Sequence, residues 1–253
     1  FLLPEYIVQA HDDGIIHFHD ADYFAQNALH NCYLVNLEDM LQNGTSINGV
    51  LIEKPHRFLT AVTIATQIIT AVSSSQYGGV TITLTHLAPF VRDSYNRYIK
   101  KYQERKLNKE QCEKFAKEDL KKEIVDGVQT FQYQVNSMTT TNGQAPFLSV
   151  CMYLGETTEY KEELAMIIEE FLNQRIEGMK NEKGVYVTPA FPKLIYVLDE
   201  HNALKGGEHD YITKLAVRCS AKRMYPDYIS AKKMRENYEG NVFSCMGCRS
   251  FLT

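Results

Sequence analysis

The sequence predicts an α/β fold with a mainly parallel sheet, and three observations carry that reading. Three strand-length runs stand out, the β-rich VTITL at 80–84, LIYVL at 194–198 and FLSVCMYL at 147–154, the last apolar on both faces as a buried parallel strand requires. Amphipathic stretches of helical period separate them. No internal repeat, low-complexity tract or convincing linker divides the chain, so it reads as one domain.

Taken in order, residues 5–20 read as two short extended pieces around the turn Asp12-Asp13-Gly14. A helix-like stretch through Asn27–Asn31 and the run LVNLEDMLQ lead to a turn at Asn43-Gly44. From Thr60, Val62, Ala65, Ile69 and Val72 recur at helical spacing, and that helix stops in a serine run before Gly78-Gly79. After the strand at 80–84, Pro89 sits early in a helix reaching about Arg105. A charged connector precedes a long helix from about Lys109 to Val135, with Phe115, Ile124, Val128, Phe131 and Val135 on one side. MTTTNGQ at 138–144 is hostile to helix. A strand at 147–154, an amphipathic helix ending near Gly178 and a proline-punctuated loop lead into the strand Leu194–Leu198. A helix over 210–223, the loop YPDYIS and a closing loop around CMGCRSF complete the chain.

The 253 residues, 44% hydrophobic and 23% charged, have an ordinary globular composition. A net charge of -4 gives no basic footprint for nucleic acid, although local cations and backbone N–H groups can still hold a nucleotide. No apolar run approaches the roughly 20 residues of a membrane span, and FLLPEY is too short for a signal peptide. The chain does not begin with Met and reads as a fragment or processed piece. Six cysteines, at 32, 112, 151, 219, 245 and 248, are too sparse for a disulfide scaffold, which points to a reducing cytoplasm.

Several residues are candidates for chemistry. Cys245-Met246-Gly247-Cys248 is half a zinc knuckle, a redox dithiol or coincidence; a structural zinc needs four ligands, and no second pair is nearby. Cys32, in His30-Asn31-Cys32, is of a type most often found as a small buried hydrophobe. Cys112, Cys151 and Cys219 read as structural. His11, Asp12, His17, His19 and Asp20 invite a metal-dependent hydrolase reading, since His17 and His19 on a strand would share a face. Tyr77-Gly78-Gly79 offers backbone N–H groups to phosphate, or simply a turn.

Together and in this order, AHDDGIIHFHD (10–20), HNCYL (30–34), SQYGGVTI (75–82), NSMTTTNGQAPFLSV (136–150), TPAFPKLIYVLD (188–199), YPDYIS (225–230) and MGCRSFL (246–252) resemble the anaerobic (class III) ribonucleotide reductases. The resemblance covers essentially the whole chain. It implies part of a ten-stranded α/β barrel of the glycyl-radical type, two parallel five-stranded halves with a central finger loop. It also implies anaerobic reduction of ribonucleoside triphosphates to deoxyribonucleotides, with Cys248 as the thiyl that removes the ribose 3′-hydrogen. Cys32 would face it and protonate the departing 2′-hydroxyl.

By the same resemblance, Asn31, Gly78, Gly79, Arg249 and Ser250 become substrate contacts. Glu53, Gln67, Thr140, Asn142 and Gln144 become effector contacts, with the helix near Lys54–Ser74 at a dimer interface. Its implied partners are the substrate, dNTP and ATP effectors, formate or a small redox protein as reductant, a radical-SAM activating enzyme and a second copy in a homodimer, with no nucleic acid or membrane. Residues 1–253 are then the N-terminal and central part of the catalytic barrel domain; the glycyl radical and a four-cysteine zinc site are expected in a C-terminal segment outside 1–253, the ATP cone before Phe1, and no metal ligand within this chain. Two rivals stand beside this reading, the hydrolase using His17, His19 and Asp20, and an inert nucleotide-binding, dimerising fragment.

Overall fold

The structure, a computed structural model, describes residues 3–17, 32–75, 78–141, 143–203 and 205–247. In chain order the elements are α1 (Glu5–Asp12), β1 (Cys32–Leu34), α2 (Leu37–Gln42), β2 (Thr45–Ile47), β3 (Val50–Ile52), α3 (Phe58–Ser75), β4 (Gly79–Thr83), α4 (Ala88–Glu104) and α5 (Lys109–Ser137). There follow β5 (Leu148–Met152), α6 (Lys161–Glu177), β6 (Met179–Lys180), β7 (Tyr186–Val187), β8 (Lys193–Leu198), α7 (Asp210–Arg223), β9 (Asp227–Ser230) and α8 (Ala231–Asn237).

The main sheet has the order β1-β4-β5-β8-β9, and every pairing in it is parallel. Because spatial order follows chain order, each crossover steps the same way. With crossovers of one hand, the connecting helices must then collect on one face. Packing agrees. Val80, Ile82, Leu148, Val150, Met152, Leu194 and Tyr196 share one core with residues of α3 to α7. Strand alternation sends Gly79, Thr81, Thr83, Ser149 and Cys151 to the other face, where a second, smaller cluster joins Cys151, Tyr153, Val197 and Ala231. The α/β class with a parallel sheet is as expected.

Local chemistry explains the helices. Asn108 and Gln111 form a reciprocal capping box at the start of α5. The ring pair Phe131–Phe171, 5.3 Å apart and edge-on, locks α5 to α6, the kind of buried pair whose truncation costs roughly 3–5 kcal/mol. The helix α3 passes a length-and-apolarity test for a membrane span, yet Phe58, Ala61, Ala65 and Ile69 are fully buried in the core. It is a core helix whose apolar content is spent on α4 and α5.

Four local expectations are corrected, and a hairpin appears that the sequence did not suggest. Residues 5–12 are helical rather than extended, with Pro4 at the N-cap and Glu5 in the first turn, and the chain leaves α1 through Asp13-Gly14. His17 is exposed and outside any strand, while His19 and Asp20 lie outside the described residues. YPDYIS contains β9, because Asp227–Ser230 pairs with Ile195–Leu198 immediately after Pro226. A hairpin, β2–β3, turns at Asn48-Gly49 with both residues at positive φ (52° and 78°), the signature of a type I′ turn. Phe115 is 36% exposed; Cys112, Ala116, Leu120 and Ile124 occupy the buried stripe of α5 instead.

One surface pair gives a pH prediction. The carboxylate of Asp119 accepts from Lys101 Nζ and Tyr102 Oη, each at 2.8 Å, and the Lys101 hydrogen bond holds its pKa below 3.8. A depressed carboxylate pKa contributes stability above the unfolded value and loses it as pH falls through the folded value. Asp119→Asn therefore costs up to about 1 kcal/mol at pH 7 and converges on the parent near pH 2. Urea melts at the two pH values check it; equal differences at both would refute the assignment.

Candidate functional site

Cys32 opens β1 and is paired in register with Gly79 on β4. Its thiol is free and half-buried. Across it lies Gly247, buried, with φ +65°. A Cβ built on Gly247 would stand 2.3 Å from Cys32 Sγ and 2.7 Å from Cys32 Cβ, so no side chain fits there. A Cβ built on Gly79 would stand 2.9 Å from Gly247 Cα. Two glycines thus let the loop press backbone-first onto the strand pair, the close approach that only glycine permits. The Thr81 hydroxyl, one alternation further along β4, donates to the Gly247 carbonyl at 3.1 Å and fastens the loop.

The approach to Gly247 crosses the same face. Cys245 is buried, and the surroundings of the Cys151 thiol include Ser244 and Cys245. Burial drives the Cys151 pKa far above the ordinary thiol value, so this thiol stays protonated and inert at neutral pH. Cys112 and Cys219 are buried in apolar clusters, consistent with their structural reading, and burial pushes the Cys219 thiol up to about 11. The hydroxyl of Ser149, paired in register with Thr81, is buried with no hydrogen-bond partner among the described residues. At the far end of β4 the Thr83 and Thr85 hydroxyls both donate to Glu156.

The expected site residues fall in three groups. Cys32 and Gly79 come together, with Gly78 adjacent at φ +93°. Glu53 and Gln67 are exposed, and the side chain of neither makes a hydrogen bond with another described residue; Gln67 lies midway along α3. Thr140 is buried and its N–H donates to the Gln144 carbonyl at 2.8 Å, while Thr141 binds Ser74 at the end of α3 through both N–H and hydroxyl. That loop continues to Phe147, whose ring edge is 3.6 Å from the Gly79 Cβ position. Phe147 also packs on Phe191 and under Lys193 Nζ. Asn31, Asn142, Cys248, Arg249 and Ser250 lie outside the described residues.

Thr81, Ser149, Phe147, Glu156 and the Gly247 notch were not anticipated. The Val-Thr-Ile-Thr alternation at 80–83 was the one available signal, since it predicts two hydroxyls on the face away from the core. A separate cavity of about 550 Å³, lined by Arg57, Arg97, Lys101 and Lys122 with Asp119 and Glu123, opens among α3, α4 and α5 on the helix side. It is remote in the fold from the cysteine face.

A one-way parallel sheet whose face away from the main helical core holds a free thiol against a glycine-ended loop defines an α/β protein with a thiol-bearing face. Comparison with known proteins makes this specific. The profile of the anaerobic ribonucleoside-triphosphate reductases matches residues 1–253, and the chain belongs to that family.

Among individual proteins, it is 38% identical over 99% of its length to the anaerobic ribonucleoside-triphosphate reductase of Haemophilus influenzae and 39% to that of Escherichia coli. The corresponding protein of phage T4 is 36% identical over the whole chain. The chain spans 34% of the first two relatives and 41% of the third. In structure it is similar to the anaerobic ribonucleotide reductase from Thermotoga maritima in complex with dATP and CTP. That match has a TM-score of 0.57 and 16% identity, covering 89% of this chain and 36% of the other. The T. maritima enzyme with dATP in the specificity site aligns with a TM-score of 0.55. At this identity the likeness speaks to the fold.

Proposed function

We propose that this chain carries the thiol chemistry of anaerobic ribonucleoside-triphosphate reduction, in the cytoplasm, as the N-terminal and central part of the catalytic barrel domain of a longer subunit. One observation carries the reading. Gly247 is wedged against the Cys32 side chain, and Cys248 is the next residue in the sequence.

In this reading a thiyl on Cys248 takes the 3′-hydrogen; the S–H bond forms as C3′–H breaks. Cys32 gives a proton to the 2′-hydroxyl, which leaves as water. Two electrons from formate or a small redox protein reduce the sugar, and the 3′-hydrogen returns, regenerating the thiyl. The contribution of this chain is position and the exclusion of water and oxygen. A glycyl radical on the C-terminal segment, formed by a radical-SAM activase, supplies the oxidising equivalent. The family's zinc does not fit here: among the described residues no four cysteines stand together.

The five parallel strands are one half of the proposed ten-stranded barrel, with Ser244–Gly247 entering as the finger loop. Asn31, Gly78, Gly79, Arg249 and Ser250 contact the substrate. The exposed face of α3, with Gln67, together with Glu53, serves the dimer and the dNTP or ATP effector. The loop holding Thr140, Asn142 and Gln144 relays effector identity to the base; its tie from Thr141 to Ser74 and its run to Phe147 supply a physical connection between the two places. The hydrolase alternative has little support, because His17 is outside any strand.

The test uses the protein in its full-length, radical-activated form with a 3′-deuterated ribonucleoside triphosphate. A primary isotope effect on turnover, and loss of all turnover in Cys248→Ser, supports the reading. Turnover that survives Cys248→Ser sinks it.

A further inference from the structure

We propose that Glu162, Glu208 and His209 bind one divalent transition-metal ion, of the Zn²⁺ or Co²⁺ class, joining the start of α6 to the start of α7. His209, the N-cap residue of α7, is 2% exposed, and neither ring nitrogen has a hydrogen-bond partner among the described residues. An unpaired buried imidazole is rare and calls for a ligand. Its Nε2 is aimed at two carboxylates, 3.5 Å from Glu162 Oε1 and 4.0 Å from Glu208 Oε2. The three donor atoms all lie within 4.8 Å of one another. A tetrahedral ion with N and O ligands near 2.1 Å holds its donors about 3.4 Å apart, so the cluster needs little adjustment.

The fold supplies the fixed and the mobile parts of such a site. Burial holds the His209 ring, and the backbone N–H of His209 donates to the His201 carbonyl at 3.2 Å. Glu162 lies in the first turn of α6, and both glutamate side chains are 68% exposed and free to close on an arriving ion. One imidazole with two carboxylates favours borderline transition ions over magnesium or calcium, which take oxygen alone. Three protein ligands leave a fourth position for water. No metal ligand was expected in this chain, because Glu162 and His209 are too far apart in sequence to form a readable motif.

The experiment strips the full-length protein of metal and titrates it with Co²⁺ under anaerobic conditions. Visible absorption and calorimetry are the readouts, and the comparison is the double variant Glu162→Gln/Glu208→Gln. Both changes are at exposed side chains, so the fold is retained, and any metal bound elsewhere contributes equally to both proteins. The expected result is one cobalt equivalent lost, or weakened at least tenfold, in the variant, with paramagnetic displacement of the His209 ring resonances in the parent. Equal cobalt stoichiometry and affinity in both proteins, or unmoved His209 resonances, would overturn the proposal.

Discussion

Gly247→Ala is expected to lower turnover of the full-length enzyme at least about 100-fold while leaving the protein folded. Two costs combine. Alanine at φ +65° meets the left-handed penalty of roughly 1–2 kcal/mol. Its methyl carbon would then lie 2.3 Å from Cys32 Sγ, where ordinary contact begins at 3.4 Å, so loop and strand must separate by roughly 1 Å. A displacement of that size between reacting groups is worth about two orders of magnitude in rate. The stability loss, about 2–4 kcal/mol in all, is small enough to survive in a domain with this much core.

A double-mutant comparison isolates the contact. In a Cys32→Ala background the sulfur is gone, and the stability cost of Gly247→Ala should shrink by about 1 kcal/mol, although the Cys32 Cβ at 2.7 Å keeps part of the clash. Urea melts of the four proteins, with turnover of the parent and of Gly247→Ala, check it. If Gly247→Ala melts with the parent and turns over within threefold, the loop does not press on Cys32.

The contact behind this prediction was only half legible in the sequence. The strands at 80–84, 147–154 and 194–198 announced themselves by apolar content, and α3 to α7 by their period, because burial against one large core writes both signals. β9 and α8 did not. Only Ala231 and Met234 of α8 are buried, and β9 is a short edge strand, so neither has enough apolar surface to leave a pattern. The cysteine pair was suggested by family resemblance, not by physics. Local pattern cannot tell that Gly247, at the end of a polar loop, returns to the first strand of the sheet. Nor could it find the Thr81 bond to that loop, which links positions 166 residues apart.

A different long-range tie yields the second large effect, in stability. Arg175 of α6 is 1% exposed, donates from Nη1 to the Pro189 carbonyl at 2.9 Å and from Nη2 to that of Pro192, and lies over the Tyr225 ring. Burial pulls its pKa down to about 10. The charged form is therefore disfavoured by folding, a penalty complete below the folded value and relieved only as pH rises above it. Between pH 5 and 9 it is constant, and the guanidinium is retained because it alone satisfies two carbonyls at once.

Arg175→Ala would strip both carbonyls of charge-assisted partners and leave a void, costing about 3–5 kcal/mol and about 10 °C in thermal midpoint. The loss should be the same at pH 5.5 and pH 8.5, and Arg175→Lys should recover less than half of it, since one ammonium cannot fork to two carbonyls. The consequence reaches the site. Pro189 and Pro192 bracket Phe191, whose carbonyl is also held by Asn136 at 2.9 Å and whose ring packs on Phe147 beside Gly79. Loosening that segment should cut turnover further even at temperatures well below the midpoint. Melting within 2 °C of the parent, or a loss that changes between the two pH values, would show that the buried guanidinium does not anchor this loop.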